Sequence, residues 1–133
     1  KFKKNISINY QNDGKSEYLI NGIENRIEQI VANLLDNSIS FSDDGSEVIV
    51  NVSNGLEKKV IVKILDEGQG FKEKDTSKIF NRFYSNRPEN FGEHSGLGLN
   101  IVKNLVELHD GKIEASNRLD KQGALIEIKF PSL

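Results

Sequence analysis

The sequence predicts an α+β fold, a two-layer sandwich in which helices cover one face of a mixed, mostly antiparallel five-stranded sheet. Three observations point there. Five short runs are β-branched or alternate apolar with polar residues, and two longer stretches repeat their apolar residues at helical spacing. Their order is strand, helix, two strands, a long polar segment, helix, two strands, so strands pair as hairpins and helices intervene.

ISINY, Ile6 to Tyr10, alternates and reads as an edge strand, followed by a turn at Asn12-Asp13-Gly14. From about Gly22 to Ser40 the apolar residues Ile23, Ile27, Ile30, Val31, Leu34 and Leu35 share one face of a helix. Asp43-Asp44-Gly45 closes that region. EVIVNVS (Glu47 to Ser53) and KVIVKILD (Lys59 to Asp66) read as an antiparallel hairpin joined by a short turn containing Asn54-Gly55, and their near-continuous apolar character suits central strands. Glu67 to Gly96 is polar and contains several glycines, with a third, short helix expected from Thr76 to Phe83. A connection of that length is usually a lid, a binding loop or disordered, and a lid is expected over about 71–95. The second long helix, Leu97 to Gly111, is amphipathic through Ile101, Leu105 and Leu108, with Gly111 as its left-handed cap. KIEASN and ALIEIKF form a closing hairpin around Asp120 to Gly123.

At 133 residues the chain makes a single domain, 1–133, with no repeat, linker or low-complexity segment. Eighteen basic residues against 20 acidic ones, scattered along the chain, give no electrostatic footprint for nucleic acid or an anionic membrane. No run is long and apolar enough to span a bilayer. The absence of cysteine removes disulfides, thiolate metal sites and cysteine nucleophiles, and agrees with a cytoplasmic setting. There is no Met and the first residue is Lys1, so the chain is expected to be a piece of something longer.

Three constellations could carry chemistry. Asn33 and Asn37 lie in the interior of the first helix, where Asn is a poor helix former. With Ile23 at zero and 100° per residue, they fall at about 280° and 320°, on the border of the buried face, while Asp36 at about 220° points outward. Border carboxamides left without partners cost on the order of 1–3 kcal/mol each, so they are either structural amides bonded to nearby backbone or ligands. D-E-G-Q-G, Asp66 to Gly70, ends the strongest strand. It is either an ordinary turn or a rigid platform for one carboxylate, and Glu73 breaks the dinucleotide fingerprint. S-G-L-G-L, Ser95 to Leu99, opens the second long helix with glycines that favour backbone N–H contacts to phosphate, although no Walker motif is present.

Together and in this order these motifs resemble the ATP-binding catalytic domain of sensor histidine kinases, whose Bergerat-type fold is shared with gyrase, the Hsp90 chaperone and the mismatch-repair ATPases. Q-I-V-A-N-L-L-D-N-S from Gln29 is similar to the N box, D-E-G-Q-G to the G1 box, K-I-F-N-R-F-Y from Lys78 to the F box, and S-G-L-G-L-N-I-V to the G2 box. The resemblance covers residues 19 to 130. It implies that Asn33 gives a carboxamide oxygen to Mg²⁺ and that Asn37 lies beside metal and phosphates. It also implies that Asp66 accepts from the adenine amino group, and that Gly68 and Gly70 let the lid swing. Gly96, Leu97, Gly98 and Leu99 would meet the phosphates. Phe80 and Phe83 would anchor the lid's root, or serve as ordinary core aromatics. The implied cofactors are ATP and Mg²⁺. The implied partners are the acceptor-histidine dimerisation domain of the same full-length protein and a downstream response regulator. The implied location is cytoplasmic, in a full-length protein of a kind that can be anchored in the inner membrane.

Departures from the pattern are informative. Ser40 and Phe41 stand where the N box commonly continues with Lys and Tyr, which leaves Arg82 or Arg87 to face the phosphates. His94 replaces a glycine and reads as a solvated lid residue. Asp110-Gly111 replaces a Gly-Gly pair, and His109 is expected at the helix C-terminus, interacting with the dipole. Neither histidine resembles a phosphoacceptor. Related hydrolases place a general-base Glu where this chain has Gln29, and Glu28 lies about 100° away around the helix, so hydrolysis as the main task is disfavoured. A degenerate module that binds nucleotide, or only a partner protein, is the non-enzymatic alternative.

Overall fold

The structure is a computed structural model and describes residues 5–14, 18–55, 57–71, 79–80 and 97–132. Five strands form one sheet: β1 (Ser7–Asn12), β2 (Glu47–Gly55), β3 (Lys59–Leu65), β4 (Lys112–Asn117) and β5 (Ala124–Pro131). Their spatial order is β1-β2-β3-β5-β4. β1 runs parallel to β2 because the helix α1 (Glu24–Ser40) connects them as a crossover, whereas the other three pairings are antiparallel. A second helix, α2 (Leu97–Leu108), packs on α1 and against β4. The two-layer, five-stranded mixed sheet expected from the sequence is therefore the fold. β1 is an edge strand as read, with all six residues exposed, and β2 and β3 lie inside the sheet.

The core lies between helices and sheet. Ile30 and Leu34 of α1 meet Val48, Ile64, Ile126, Ile128 and Phe130 of the strands and Val102 and Val106 of α2, all almost fully buried. Ile30, Leu34 and Ser38 are four residues apart, and that stripe sets the rotation of α1. Removing such a side chain, as in Leu34→Ala, costs about 2–5 kcal/mol. The third helix expected over Thr76 to Phe83 lies largely outside the described residues; Ile79 and Phe80 form part of a 3₁₀ turn and are core residues. Among the described residues no helix is long and apolar enough to cross a membrane.

Three local expectations need correction. The β2–β3 turn does not fall on Asn54-Gly55. Those residues pair with Val60 and Lys59, and Glu57 and Lys58, beyond them, take φ of 60° and 57°. Of the expected α2 face Leu105 packs against the core, but Ile101 and Leu108 are 38% and 65% exposed, and the fully buried positions are Val102 and Val106, with His109 buried just past the helix. Seven of this helix's twelve residues are apolar, LGLNIVKNLVEL, so spacing alone offered two stripes and packing against α1 chose between them. Finally, the left-handed residue after α2 is Asp110, with φ of 60°, not Gly111. The Asp110 N–H donates to Glu107 O and the Gly111 N–H to Val106 O, which together make a Schellman cap. Gly111 is needed one place later for close packing, since a Cβ there would lie 2.8 Å from Lys129 O.

Candidate functional site

His109 explains how the helix layer is aligned. Its Nδ1 donates to Leu105 O at 2.8 Å and its Nε2 accepts the Ile23 N–H at 3.1 Å, so the ring carries its proton on Nδ1. It interacts with the end of α2 as expected, but it is buried and also holds the start of α1. With the end of α2 fixed beside the start of α1, the two packed helices run antiparallel. The last turns of α1, bearing Asn33 and Asn37, therefore lie at the same end as the first turn of α2, bearing Gly98.

The strand end comes to that place as well. Phe41 follows α1, and a Cβ on Gly68 would fall 2.4 Å from its carbonyl oxygen, so only glycine allows the G1 loop to touch the helix terminus this closely. Asp66 leaves β3 with 2% exposure. Its Oδ1 accepts two backbone N–H groups, from Gly68 at 2.9 Å and from Ala124 at 3.0 Å. A buried carboxylate held by backbone donors is fixed in direction. Gly70 takes φ of 80°, which an L residue rarely adopts. Beyond it the Phe71 N–H and C=O are both bonded by the Asn117 carboxamide, at 2.6 and 3.0 Å. Gly68 and Gly70 thus have packing and backbone reasons of their own, independent of lid motion.

Asn33 and Asn37 are half-buried and Asp36 is exposed, as the angular argument expects. The carboxamides of Asn33 and Asn37 have no hydrogen-bond partner among the described residues, so the structural-amide alternative finds no support there. The end of α1 is closed by other means: the Phe41 N–H donates to Asn37 O, and Ser42 Oγ to Ser38 O at 2.7 Å. Gly98 is exposed, and a Cβ on it would meet no described atom within 4 Å. Leu97 opens α2 and Leu99 is half-buried. Arg87 and Gly96, with Arg82, Phe83 and His94, lie outside the described residues.

Several residues at the site were not singled out in the sequence. Asn100 Nδ2 donates to Phe80 O at 3.1 Å, tying α2 to the F box. Glu67 Oε1 accepts the Glu47 N–H at 2.9 Å and its Oε2 pairs with Lys121 Nζ at 2.8 Å. Those contacts, Lys121 foremost, hold its carboxyl below the ordinary glutamate range. Asn117 and Arg118 reach the G1 loop from the β4–β5 hairpin, about 50 residues downstream in the chain, a separation at which no local pattern signals contact. A cavity of about 200 Å³ lined by Tyr18, Ile20, Ile27, Val52, Val62 and Phe130 lies toward the opposite end of β3 from Asp66; it is a gap in helix–sheet packing, with Tyr18 its one polar-tipped lining residue.

The chain thus combines a crossover-connected mixed sheet, an antiparallel helix pair and a buried Asp at a strand end. Residues 22–133 match the model of the histidine kinase-, DNA gyrase B- and HSP90-like ATPases, and the chain belongs to that family. It is 38% identical over 135 residues to the sensor protein ChvG of Agrobacterium fabrum, covering 96% of this chain and 22% of that protein. It is 42% identical over 107 residues to the sensor protein KdpD of Clostridium acetobutylicum, covering 79% of this chain and 12% of that one. Among solved structures, the mycobacterial sensor histidine kinase MprB aligns with a TM-score of 0.82 at 26% identity, over 96% of this chain and 82% of that chain. The catalytic domain of histidine kinase ThkA aligns with a TM-score of 0.79 at 26% identity, over 96% and 79% of the two chains. The chain thus spans under a quarter of the length of these two sensor proteins.

Proposed function

We propose that this domain binds Mg-ATP and passes the γ-phosphoryl group to a histidine on a separate dimerisation domain, as the kinase module of a two-component system. One observation carries the reading: Asp66 is buried and anchored at the end of β3, and Gly68 beside it packs against Phe41, at the end of the helix that bears Asn33 and Asn37. In this reading Asp66 accepts the adenine amino group, which favours adenine over guanine. Arg87, Gly96 and the backbone from Leu97 to Leu99 meet the phosphates.

The donor set fits magnesium. Two half-buried carboxamides without partners among the described residues offer neutral oxygens, which suit an ion whose charge is already met by phosphate. Among the described residues no group of three or more Asp, Glu, His or Cys side chains gathers, so further ligands would come from nucleotide and water. When bound, the ion offsets charge on the phosphates. The protein's own part is to fix the base through Asp66 and to present the phosphates beyond the start of α2. The bond from the β,γ-bridging oxygen to γ-phosphorus breaks, a bond to the acceptor histidine nitrogen forms, and ADP leaves.

Hydrolysis as the main task is a weaker reading. Gln29 cannot take a proton and Glu28 is exposed. The kinase ThkA forms a complex with the response regulator protein TrrA, which supports a response regulator as the downstream partner here.

Calorimetry of ATP binding with and without Mg²⁺ tests the assignment. Asn33→Ala should lower the Mg²⁺ dependence, and Asp66→Ala should weaken ATP and ADP alike by about tenfold or more. Parent-like binding by both variants would sink the site assignment. Labelled ATP and an added acceptor-histidine domain then separate kinase from binder, because a binder leaves the acceptor unlabelled.

A further inference from the structure

The β4–β5 hairpin holds the G1 loop at almost every residue. The Asp66 N–H donates to Ala124 O at 3.0 Å, and the Ala124 N–H returns to Asp66 Oδ1 at the same distance. Arg118 Nη1 donates to Asp66 O at 3.1 Å. Lys121 pairs with Glu67, and Asn117 brackets both backbone polar groups of Phe71. The Arg118 side chain is only 4% exposed and its guanidinium is forked onto Asp120, at 3.0 Å from Nε and 2.8 Å from Nη2. The Asp120 carboxylate holds it firmly protonated, above the ordinary arginine value. Its charge is therefore already met, and the group is committed to the Asp66 carbonyl rather than offered to phosphate.

We propose that Asn117 and Arg118 are positioning residues of the nucleotide site, which fix the aim of the Asp66 carboxylate and thereby set the preference for adenine over guanine. Arg118 clamps the carbonyl of Asp66 while Asn117 clamps the chain five residues later. Between them the loop cannot rotate about its glycines without breaking three hydrogen bonds. Neither side chain needs to touch nucleotide. The inference rests on the adenine-reading role of Asp66 given above.

The test compares Arg118→Ala, Arg118→Lys and Asn117→Ala with the parent and with His109→Ala, a change that loosens the fold at the far end of the helix layer. ATP, ADP and GTP affinities are measured by competition, and amide hydrogen exchange is read at Gly68 and Ala124, the two donors to Asp66. Arg118→Ala and Asn117→Ala should each lower the ATP:GTP affinity ratio by about tenfold, weaken ATP and ADP equally, and speed exchange at both amides. Arg118→Lys, which keeps one donor for the Asp66 carbonyl, should recover part of the ratio, and His109→Ala should leave it at the parental value. If ATP binds the parent and is lost in Asp66→Ala, while the Asn117 and Arg118 variants keep ratio and exchange rates, this inference fails alone. A parent that binds no ATP overturns both it and the reading of Asp66.

Discussion

Asp66 shows how one residue acquires a role from its surroundings. A carboxylate at a strand end is ordinary, but here two backbone donors and near-complete burial leave it a single direction. Its neighbour Glu67 has a different task, bracketing the start of β2 to Lys121. Because its carboxyl is held below the ordinary value of 4.5, its contribution to stability is fully present above that pH and is lost as pH falls through the lower folded value. Asp120, held low by Arg118, acts in the same sense. Glu67→Gln should therefore flatten the acid limb of a stability–pH curve below about pH 4.5 while changing little near neutrality beyond a constant offset. Chemical denaturation at stepped pH reads this, and an unchanged acid slope would show that the bracket is not formed.

At the scale of elements, the two ends of the helix layer are built differently. At one end His109 joins the helices through both ring nitrogens. His109→Ala leaves the Leu105 carbonyl and the Ile23 N–H without these partners and should cost about 1–3 kcal/mol. The ¹⁵N shifts of the parent ring should report the Nδ1–H tautomer, and the reverse tautomer would overturn the geometry. The cap just beyond it holds Asp110 at φ of 60°, where Asp is tolerated and glycine preferred. Asp110→Gly should stabilise by roughly 0.5–1 kcal/mol, read as a higher midpoint in denaturant, because the left-handed strain outweighs the added entropy of the unfolded chain. A lower midpoint would mean that Asp110 contributes contacts beyond its backbone.

In the whole molecule, α1, α2, β3 and the β4–β5 hairpin converge on one end, so a ligand bound there ties the helix layer to the sheet. Mg-ATP at a hundred times its dissociation constant should add about 2.7 kcal/mol, or roughly 10 °C in Tm for a domain of this size. The Tm rise should shrink when Mg²⁺ is chelated and fall to about half or less in Asp66→Ala. A parent whose Tm does not respond to ATP would argue for the protein-interaction alternative.

Much was legible in the sequence because its signals are local. Strand alternation, the α1 stripe and the order of elements follow from side-chain period and chain connectivity, and they fixed a five-stranded α+β sandwich before any contact was known. The border placement of Asn33 and Asn37 followed from helix geometry alone. What failed was equally local in origin. An apolar-rich α2 offered two equivalent stripes, and an Asn-Gly pair suggested a turn where the ladder continues. Tertiary structure decided those choices, because burial is a property of neighbours rather than of spacing. It also decided the role of Asn117 and Arg118: residues 66 and 118 meet only because β3 and β5 pair and the hairpin folds back across the strand end.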